Sequence, residues 1–465
     1  MSAPGSRLGT LAQKYGGPTG YRYLIARILG AATRLETSTS IQLTLTRLRQ
    51  WQPTGGEKIK YTFMIVMTLI SLYVMKVPGF PLKLGLPALF SLLVLLPITS
   101  QFFLPASPIL LWLLIFYSSQ FVPASSRPHI WVSVLPTLET VWYGASIADI
   151  LTRIGHPALD ILAWIPYGVV HFASPFFVAA FLFVFAPPGT TKFYGAAFGF
   201  MNVTGVLIQF WLPCAPPWYE LREGLTPANY DMKGSPAGLA RIDQIFHGHG
   251  YTVGFTNAPV PFGAFPSLHS GNATMSALFC SYFFPLALEL PLLFSSKRIR
   301  FDARILYWIY AFWLYWCTMY LMHHFLVDLV GGACLATGFF YYFLPDEIRT
   351  VMEQGYAYRP SQPAPLSAAP PSDYPREAFG TRSSVDLSQH PNGDVIGRNR
   401  GGVQLDDLNS SHTATTKKDG SVLFEVGHDD EEEDEEENAV GNQQASLQAS
   451  NGEELKRSAS ANSHR

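Results

Sequence analysis

The chain has 465 residues, of which 48% are hydrophobic and 14% aromatic, while Asp, Glu, Lys and Arg together supply only 14%. A typical soluble protein carries about 25% charged residues, so composition and a mean hydropathy of +0.15 argue against an ordinary cytosolic enzyme, and 32 basic against 34 acidic side chains argue against a nucleic-acid binder. The net charge of −2 hides a division: residues 346–465 hold 11 basic and 22 acidic side chains, a net −11, and residues 1–345 hold 21 and 12, a net +9.

Residues 1–60 are polar and basic, with Arg22, Arg27, Arg34, Arg47, Arg49, Lys58 and Lys60, and have no early apolar core, so no secretory leader is expected. They read as a cytoplasmic flank that sets topology; an amphipathic basic helix on the anionic leaflet is the alternative. Eight apolar stretches follow, near 61–80, 84–104, 107–123, 161–187, 194–213, 272–295, 304–322 and 326–344. Each approaches or exceeds the ~20 residues that cross a bilayer. Pro81, Pro105 and Pro108 separate the first three, which also fit two spans and a re-entrant segment. The expected fold is all-α: a polytopic membrane helix bundle of about eight transmembrane helices over 61–345, followed by a disordered acidic cytoplasmic tail over 346–465. That tail is rich in Pro, Ser, Asn, Gly and Gln and carries an unbroken acidic run from Asp429 to Glu437, too little apolar surface to offset the entropy of ordering.

Orientation follows from basic residues in short flanks. With eight spans, Lys297, Arg298, Arg300 and Arg304 between spans six and seven fall on the same side as the N-terminal flank and the tail. That side is the cytoplasm, which leaves 124–160, 214–271 and 323–325 on the lumenal face. Cys280, Cys317 and Cys334 lie in apolar runs and Cys214 in a polar connection, with no CxxC pair and no disulfide framework.

Two lumenal segments carry the chemistry. In the second, His323-His324-Phe325-Leu326-Val327-Asp328, His324 and Asp328 are four apart and share one face of a helix. A carboxylate on one imidazole nitrogen fixes the tautomer and leaves the other as nucleophile or base, and an ionisable group just inside a span is a functional candidate. In the first, Phe265-Pro266-Ser267-Leu268-His269-Ser270-Gly271-Asn272, Ser267, Ser270 and Asn272 can cap span six. Gly271 admits close backbone approach, and a helix N-terminus suits a phosphate. His269 stands beside that site as an acid and base. Among the lumenal cations Arg241, ahead of Arg127 and Lys233, is the candidate to hold phosphoryl oxygens, and each of the three also fits a surface charge. Trp218 and Tyr219 fit either a head-group pocket or an interfacial belt. Histidines 129, 156, 247, 249, 269, 323 and 324 all fall on the lumenal side, but repeated histidine boxes and thiolate spacings are lacking, so no metal and no cofactor are expected.

These residues resemble the type 2 phosphatidic acid phosphatase superfamily. Its Pro-Ser-Gly-His motif is matched by Pro266-Ser267-Leu268-His269, with Leu268 for glycine, and its His followed four later by Asp is matched by His324 and Asp328. The Ser-Arg that precedes that histidine is Cys317-Thr318 here, and the Lys and Arg-Pro motif is broken, Lys233 and Arg241 being one residue too far apart with Ile242 for proline. Within the superfamily the chain is similar to the fungal inositol phosphorylceramide synthases, relatives of the sphingomyelin synthases. The similarity covers roughly residues 60–345 through Arg127 to Ile130, Val134 to Glu139, Pro213 to Tyr219, Gly234 to Asp243, Gly263 to Gly271 and Tyr320 to Asp328. The resemblance implies a six-helix lipid-phosphatase-like core and transfer of phosphoinositol from phosphatidylinositol to ceramide, releasing diacylglycerol. It also implies that His324 attacks phosphorus, Asp328 orients it and His269 protonates the leaving oxygen. It further implies a small regulatory membrane subunit, Golgi residence and sensitivity to cyclic depsipeptides. A lipid phosphate phosphatase of the same superfamily is the alternative; a transporter or scaffold, lacking internal repeats to support it, is a third.

Overall fold

The computed structural model describes residues 20–291 and 298–353. The disordered tail expected over 346–465 lies outside the described residues from 354 onward, and residues 346–353 form a helix.

The N-terminal part is built from α1 (Gly20–Thr33), α2 (Ile41–Gln50), α3 (Gly55–Val74), α4 (Leu82–Leu95), α5 (Pro97–Phe103) and α6 (Ser107–Ser119). A capping box starts α3, in which Thr54 Oγ1 accepts the Glu57 amide at 3.3 Å and the Glu57 carboxylate accepts the Thr54 amide at 2.9 Å. Leu96 precedes Pro97 and is extended, because the proline ring clashes with a helical predecessor. There α4 and α5 meet at a 115° bend, as a broken span or a re-entrant loop.

The lumenal connection expected over 124–160 contains α7 (Val134–Tyr143) and α8 (Ile147–Thr152), followed by α9 (Pro157–Phe185). Pro166 has no N–H to donate, and α9 accommodates it with a π turn over Ile165–Val170. Then come α10 (Thr190–Trp211), α11 (Pro217–Glu223), α12 (Leu239–Ile245), α13 (Gly250–Thr256), α14 (Leu268–Phe283), β1 (Ala287–Pro291), β2 (Arg298–Asp302), α15 (Arg304–Tyr320), α16 (Leu326–Phe343) and α17 (Asp346–Glu353).

Helices α9, α10 and α16 are each long and apolar enough to cross a bilayer, and α4 with α5 makes a fourth if the pair is one span. The protein is therefore a helical membrane protein. The expectation of helix alone is corrected in one place. The sixth stretch, read as 272–295, stops being helical at Phe283, because Phe284 precedes Pro285 and leaves the helical region. Residues 287–291 instead pair antiparallel with 298–302.

Helix α10 is the central post, packed on α6, α14 and α16. Phe193 and Phe198 from α10, Phe279 and Phe283 from α14 and Phe340 from α16 form the main buried cluster. Helix α9 is the outlier: Phe172, Phe176 and Phe177 are exposed, as an apolar surface facing lipid would be. Between α6, α9 and α10 lies a cavity of about 1760 Å³, lined by Trp112, Phe176, Phe198 and Leu268 and reaching His269, His323 and His324.

Candidate active site

The first turns of α14 and α16 are fastened to each other. Ser267 caps α14, its side chain accepting the Ser270 amide at 3.4 Å. The Ser267 amide donates to the Asp328 carbonyl at 3.0 Å, and the Ser270 hydroxyl donates to the Leu329 carbonyl at 2.9 Å. This approach requires glycine at position 332: a Cβ there would lie 2.1 Å from the Ser267 carbonyl oxygen and 2.2 Å from Ser270 Oγ. Leu268, which replaces the motif glycine, sits over Gly205 of α10, where a Cβ would come within 2.3 Å of Leu268 Cδ2.

Helix α15 ends in a tight reversal. Met322 has φ +63°, a left-handed conformation that costs a non-glycine residue about 1 kcal/mol or more. The His323 and His324 amides return to the Thr318 carbonyl at 2.9 and 3.4 Å. This turn throws His324 toward α14. His324 Nε2 lies 3.1 Å from His269 Nδ1, and His324 Nδ1 lies 3.4 Å from Asp328 Oδ2. Asp328 Oδ2 also accepts the Phe325 amide at 2.9 Å, and Asp328 is fully buried. Asp328, His324 and His269 thus form a continuous chain, carboxylate to imidazole to imidazole.

Several further residues complete the site. Tyr167, on the π turn of α9, stacks on His269 at 4.7 Å between centroids and on His323 at 5.2 Å. His171, one turn on, tilts against His269 at 4.7 Å. Phe255 covers the other face of His323 at 4.7 Å, and burial pushes the His323 imidazole down to about 3. His323 is therefore a neutral wedge at ordinary pH, packed between two aromatic rings. The Glu139 carboxylate, fully buried, accepts the Leu326 and Val327 amides at 3.2 and 3.0 Å. His171 Nδ1, His323 Nε2 and Asp328 Oδ1 are buried with no hydrogen-bond partner among the described residues. Each such atom costs about 1–3 kcal/mol, and a cluster of them points to a polar ligand.

The remaining sequence candidates have neighbours outside the histidine chain. Gly271 packs toward Met201 and Gly332 inside the bundle. The Arg127 guanidinium closes the end of α6, donating to the carbonyls of Val122, Ser119 and Gln120 at 3.0, 3.1 and 3.1 Å. Arg241 Nε donates to Asp160 Oδ1 at 2.8 Å, with the guanidinium over the Tyr320 ring, and the Tyr320 hydroxyl donates to the same oxygen at 2.8 Å. Lys233 is exposed. Among the described residues no group of three or more His, Cys, Asp and Glu side chains is arranged to hold a metal ion.

His171 had a readable signal, an ionisable side chain inside an apolar run. Tyr167 had none, and Glu139 only its place in the Val134 to Glu139 block, because their roles depend on contacts across more than a hundred residues.

The PAP2 superfamily matches residues 147–342, which span both histidine segments. The chain is 47% identical to the inositol phosphorylceramide synthase catalytic subunit aur1 of Schizosaccharomyces pombe, over 65% of this chain and 68% of that protein. It is 44% identical to the inositol phosphorylceramide synthase catalytic subunit AUR1 of Saccharomyces cerevisiae, over 66% of this chain and 73% of that protein. It is 43% identical to an inositol phosphorylceramide synthase of Candida albicans, over 70% of this chain and 66% of that protein. No solved structure matches the chain.

Proposed function

The chain belongs to the inositol phosphorylceramide synthase family, and from that premise we propose how its buried histidines move a phosphoinositol group between two lipids. The enzyme transfers phosphoinositol from phosphatidylinositol to the primary hydroxyl of ceramide and releases diacylglycerol. The observation that carries the mechanism is the 3.1 Å approach of His269 Nδ1 to His324 Nε2 with Asp328 behind His324.

Asp328 accepts a hydrogen bond from the Nδ1–H of His324, which keeps the proton there and leaves the lone pair on Nε2. Nε2 attacks phosphorus, the bond to the diacylglycerol oxygen breaks, and His269 gives that oxygen its Nδ1 proton. His269, now a base, takes the proton of the ceramide hydroxyl. The new alkoxide oxygen bonds to phosphorus, the P–N bond breaks, and His324 is restored. In-line geometry places attacking and leaving atoms on opposite sides of phosphorus, so a phosphodiester entering between the rings replaces their mutual hydrogen bond. The unpartnered atoms of His171 and His323 then face a polar head group. Of the cations, Arg241 is assigned to the phosphoryl oxygens, for which its guanidinium leaves the Asp160 carboxylate that holds it at 2.8 Å.

The cavity of about 1760 Å³ exceeds the ~300–1,000 Å³ usual for small-molecule pockets. That size suits lipid chains, and its apolar lining next to the histidines delivers the reacting groups at head-group depth. We assign eight crossings to α3, the α4 and α5 pair, α6, α9, α10, α14, α15 and α16, with both termini cytoplasmic and the histidines lumenal. On this assignment residues 1–60 form the cytoplasmic flank, 61–345 the catalytic domain and 346–465 the tail. Golgi residence and a small regulatory membrane subunit complete the proposal; the word "subunit" in the names of the fission and budding yeast relatives supports the latter.

A lipid phosphate phosphatase would use the same imidazoles with water as acceptor, and the superfamily match favours that as the second reading. Membranes holding the full chain, given labelled phosphatidylinositol with and without ceramide, decide between them. Ceramide-dependent labelled sphingolipid is expected; label appearing only in water-soluble products would overturn the synthase reading.

A further inference from the structure

Helix α16 carries only half of a capping box. Its N-cap residue is Phe325, which has no side-chain acceptor, so the first amides of the helix are buried orphans unless another group takes them. Asp328, the third residue of the helix, is the nearest carboxylate in sequence. It is placed to curl back over those amides, as an acid at that position does in a capping box. Here it takes one amide, that of Phe325, with the same oxygen that faces His324. The next two amides, of Leu326 and Val327, go to Glu139, which comes from α7 nearly 190 residues earlier.

Glu139 is rigidly delivered. The strand-like segment before α7 is tied at both sides of Cys214: the Trp131 amide donates to the Pro213 carbonyl at 2.8 Å and the Ala215 amide to the Trp131 carbonyl at 3.0 Å. The Ala264 amide then donates to the Cys214 carbonyl at 3.3 Å, three residues before Ser267 and five before His269. One frame therefore fixes Glu139, the His269 segment and the start of α16 together. The Glu139 carboxylate is wholly buried, and burial raises its proton affinity against the opposing pull of the Val327, Leu326 and Ile147 amides. A buried carboxylate is an expensive choice where a neutral cap would satisfy the helix, and its position beside Asp328 suggests what it is for.

We propose that Glu139 is a positioning residue of the transfer site: by holding the Leu326 and Val327 amides it keeps Asp328 turned toward His324. Without it, Asp328 is drawn from its single bond to the Phe325 amide further over the Leu326 and Val327 amides, and the imidazole loses the partner that fixes its tautomer and aim. This inference rests on the phosphoryl-transfer reading of His324 and Asp328.

The test uses membranes containing the full-length chain, normalised for the amount of chain. Kinetics with phosphatidylinositol and ceramide are read beside the temperature of half-inactivation. Glu139→Gln keeps the shape but offers one acceptor oxygen where two are used, and turns an NH₂ group toward the other amide. A fall in kcat of about 10- to 100-fold is expected, as for a displacement of about 1 Å at a reacting group, with both KM values within about threefold of wild type. In an Asp328→Asn background the same change should alter the remaining rate less than about twofold, because the two carboxylates act through one imidazole. The proposal is overturned by a kcat within about threefold of wild type, or by a loss that multiplies fully in the Asp328→Asn background. A lowered half-inactivation temperature with unchanged kcat per chain would equally reduce Glu139 to a plain helix cap. Should the Gln variant fail to accumulate, Glu139→Asp is read by the same criteria, since it keeps the charge and loses the reach. The underlying reading is judged separately, by whether the wild-type chain forms ceramide-dependent product.

Discussion

Replacing Gly332 with alanine places a methyl carbon 2.1 Å from the Ser267 carbonyl oxygen and 2.2 Å from Ser270 Oγ, where ordinary contact begins at 3.4 Å. The nearer obstacle is backbone, so no side-chain rotation relieves it, and the first turns of α14 and α16 must separate by roughly 1 Å. Overpacking of this kind costs about 1–3 kcal/mol, enough to lower the yield of folded chain without abolishing it. The larger effect is on chemistry. His269 rides on the turn that moves and His324 on the turn it moves from, and a displacement of about 1 Å between reacting groups costs roughly 100-fold in rate. The control is Gly338→Ala on the same helix, where a Cβ meets nothing within 4 Å; there the better helix propensity of alanine gives up to about 1 kcal/mol in stability. Ceramide-dependent transfer in membranes, per amount of chain, should be about 100-fold down for the first variant and near wild type for the second. Near-normal activity in Gly332→Ala, or an equal loss in both, would refute the argument that this contact sets the distance between the histidines.

Asp328→Asn keeps an acceptor for the Phe325 amide but no longer selects the His324 tautomer, so transfer should fall by about 10²- to 10⁴-fold while the chain accumulates normally; near-wild-type kcat would remove Asp328 from its role. Tyr167→Phe preserves both ring stacks and should stay within about threefold of wild type, whereas Tyr167→Ala, losing stacks worth about 0.5–1.5 kcal/mol each, should lower kcat; equal losses would show that the hydroxyl matters instead. Arg127→Ala strands three carbonyls at the end of α6 and should lower thermal stability with KM for phosphatidylinositol unchanged, while a selective rise in that KM would make it a phosphate ligand. Treatment with EDTA should leave transfer intact, because the imidazoles move the protons; loss restored by added divalent ion would contradict this.

The parts of the site that were legible in sequence are those set by local spacing. His324 and Asp328 are four apart, and a helix start turns that spacing into contact. His269 was legible because a capping serine and a glycine stand around it. His171 carried a local signal, an ionisable side chain in an apolar run, but its role, like those of Tyr167 and Glu139, is defined by contacts from another element that span about 100 to 190 residues. Arg127 was misleading for a physical reason. A lumenal arginine near a phosphate site and an arginine that closes a helix C-terminus have the same sequence appearance, and only the carbonyls of Ser119, Gln120 and Val122 distinguish them. The apolar stretches located the helices well, but composition does not count turns. Pro285 ends α14 early and Pro97 bends the α4 and α5 pair, so the run of apolar residues and the run of helix differ in length.

The covalent step on His324 is the central claim, and the stereochemistry at phosphorus tests it most directly. Phosphatidylinositol made chiral at phosphorus with a sulfur substituent is turned over with ceramide, and the configuration of the product is determined. Attack by His324 Nε2 followed by attack by ceramide is two in-line displacements, each of which inverts phosphorus, so the account predicts retention. Inversion would mean that ceramide attacks the lipid phosphate directly, and His324 would then lose its place as the nucleophile.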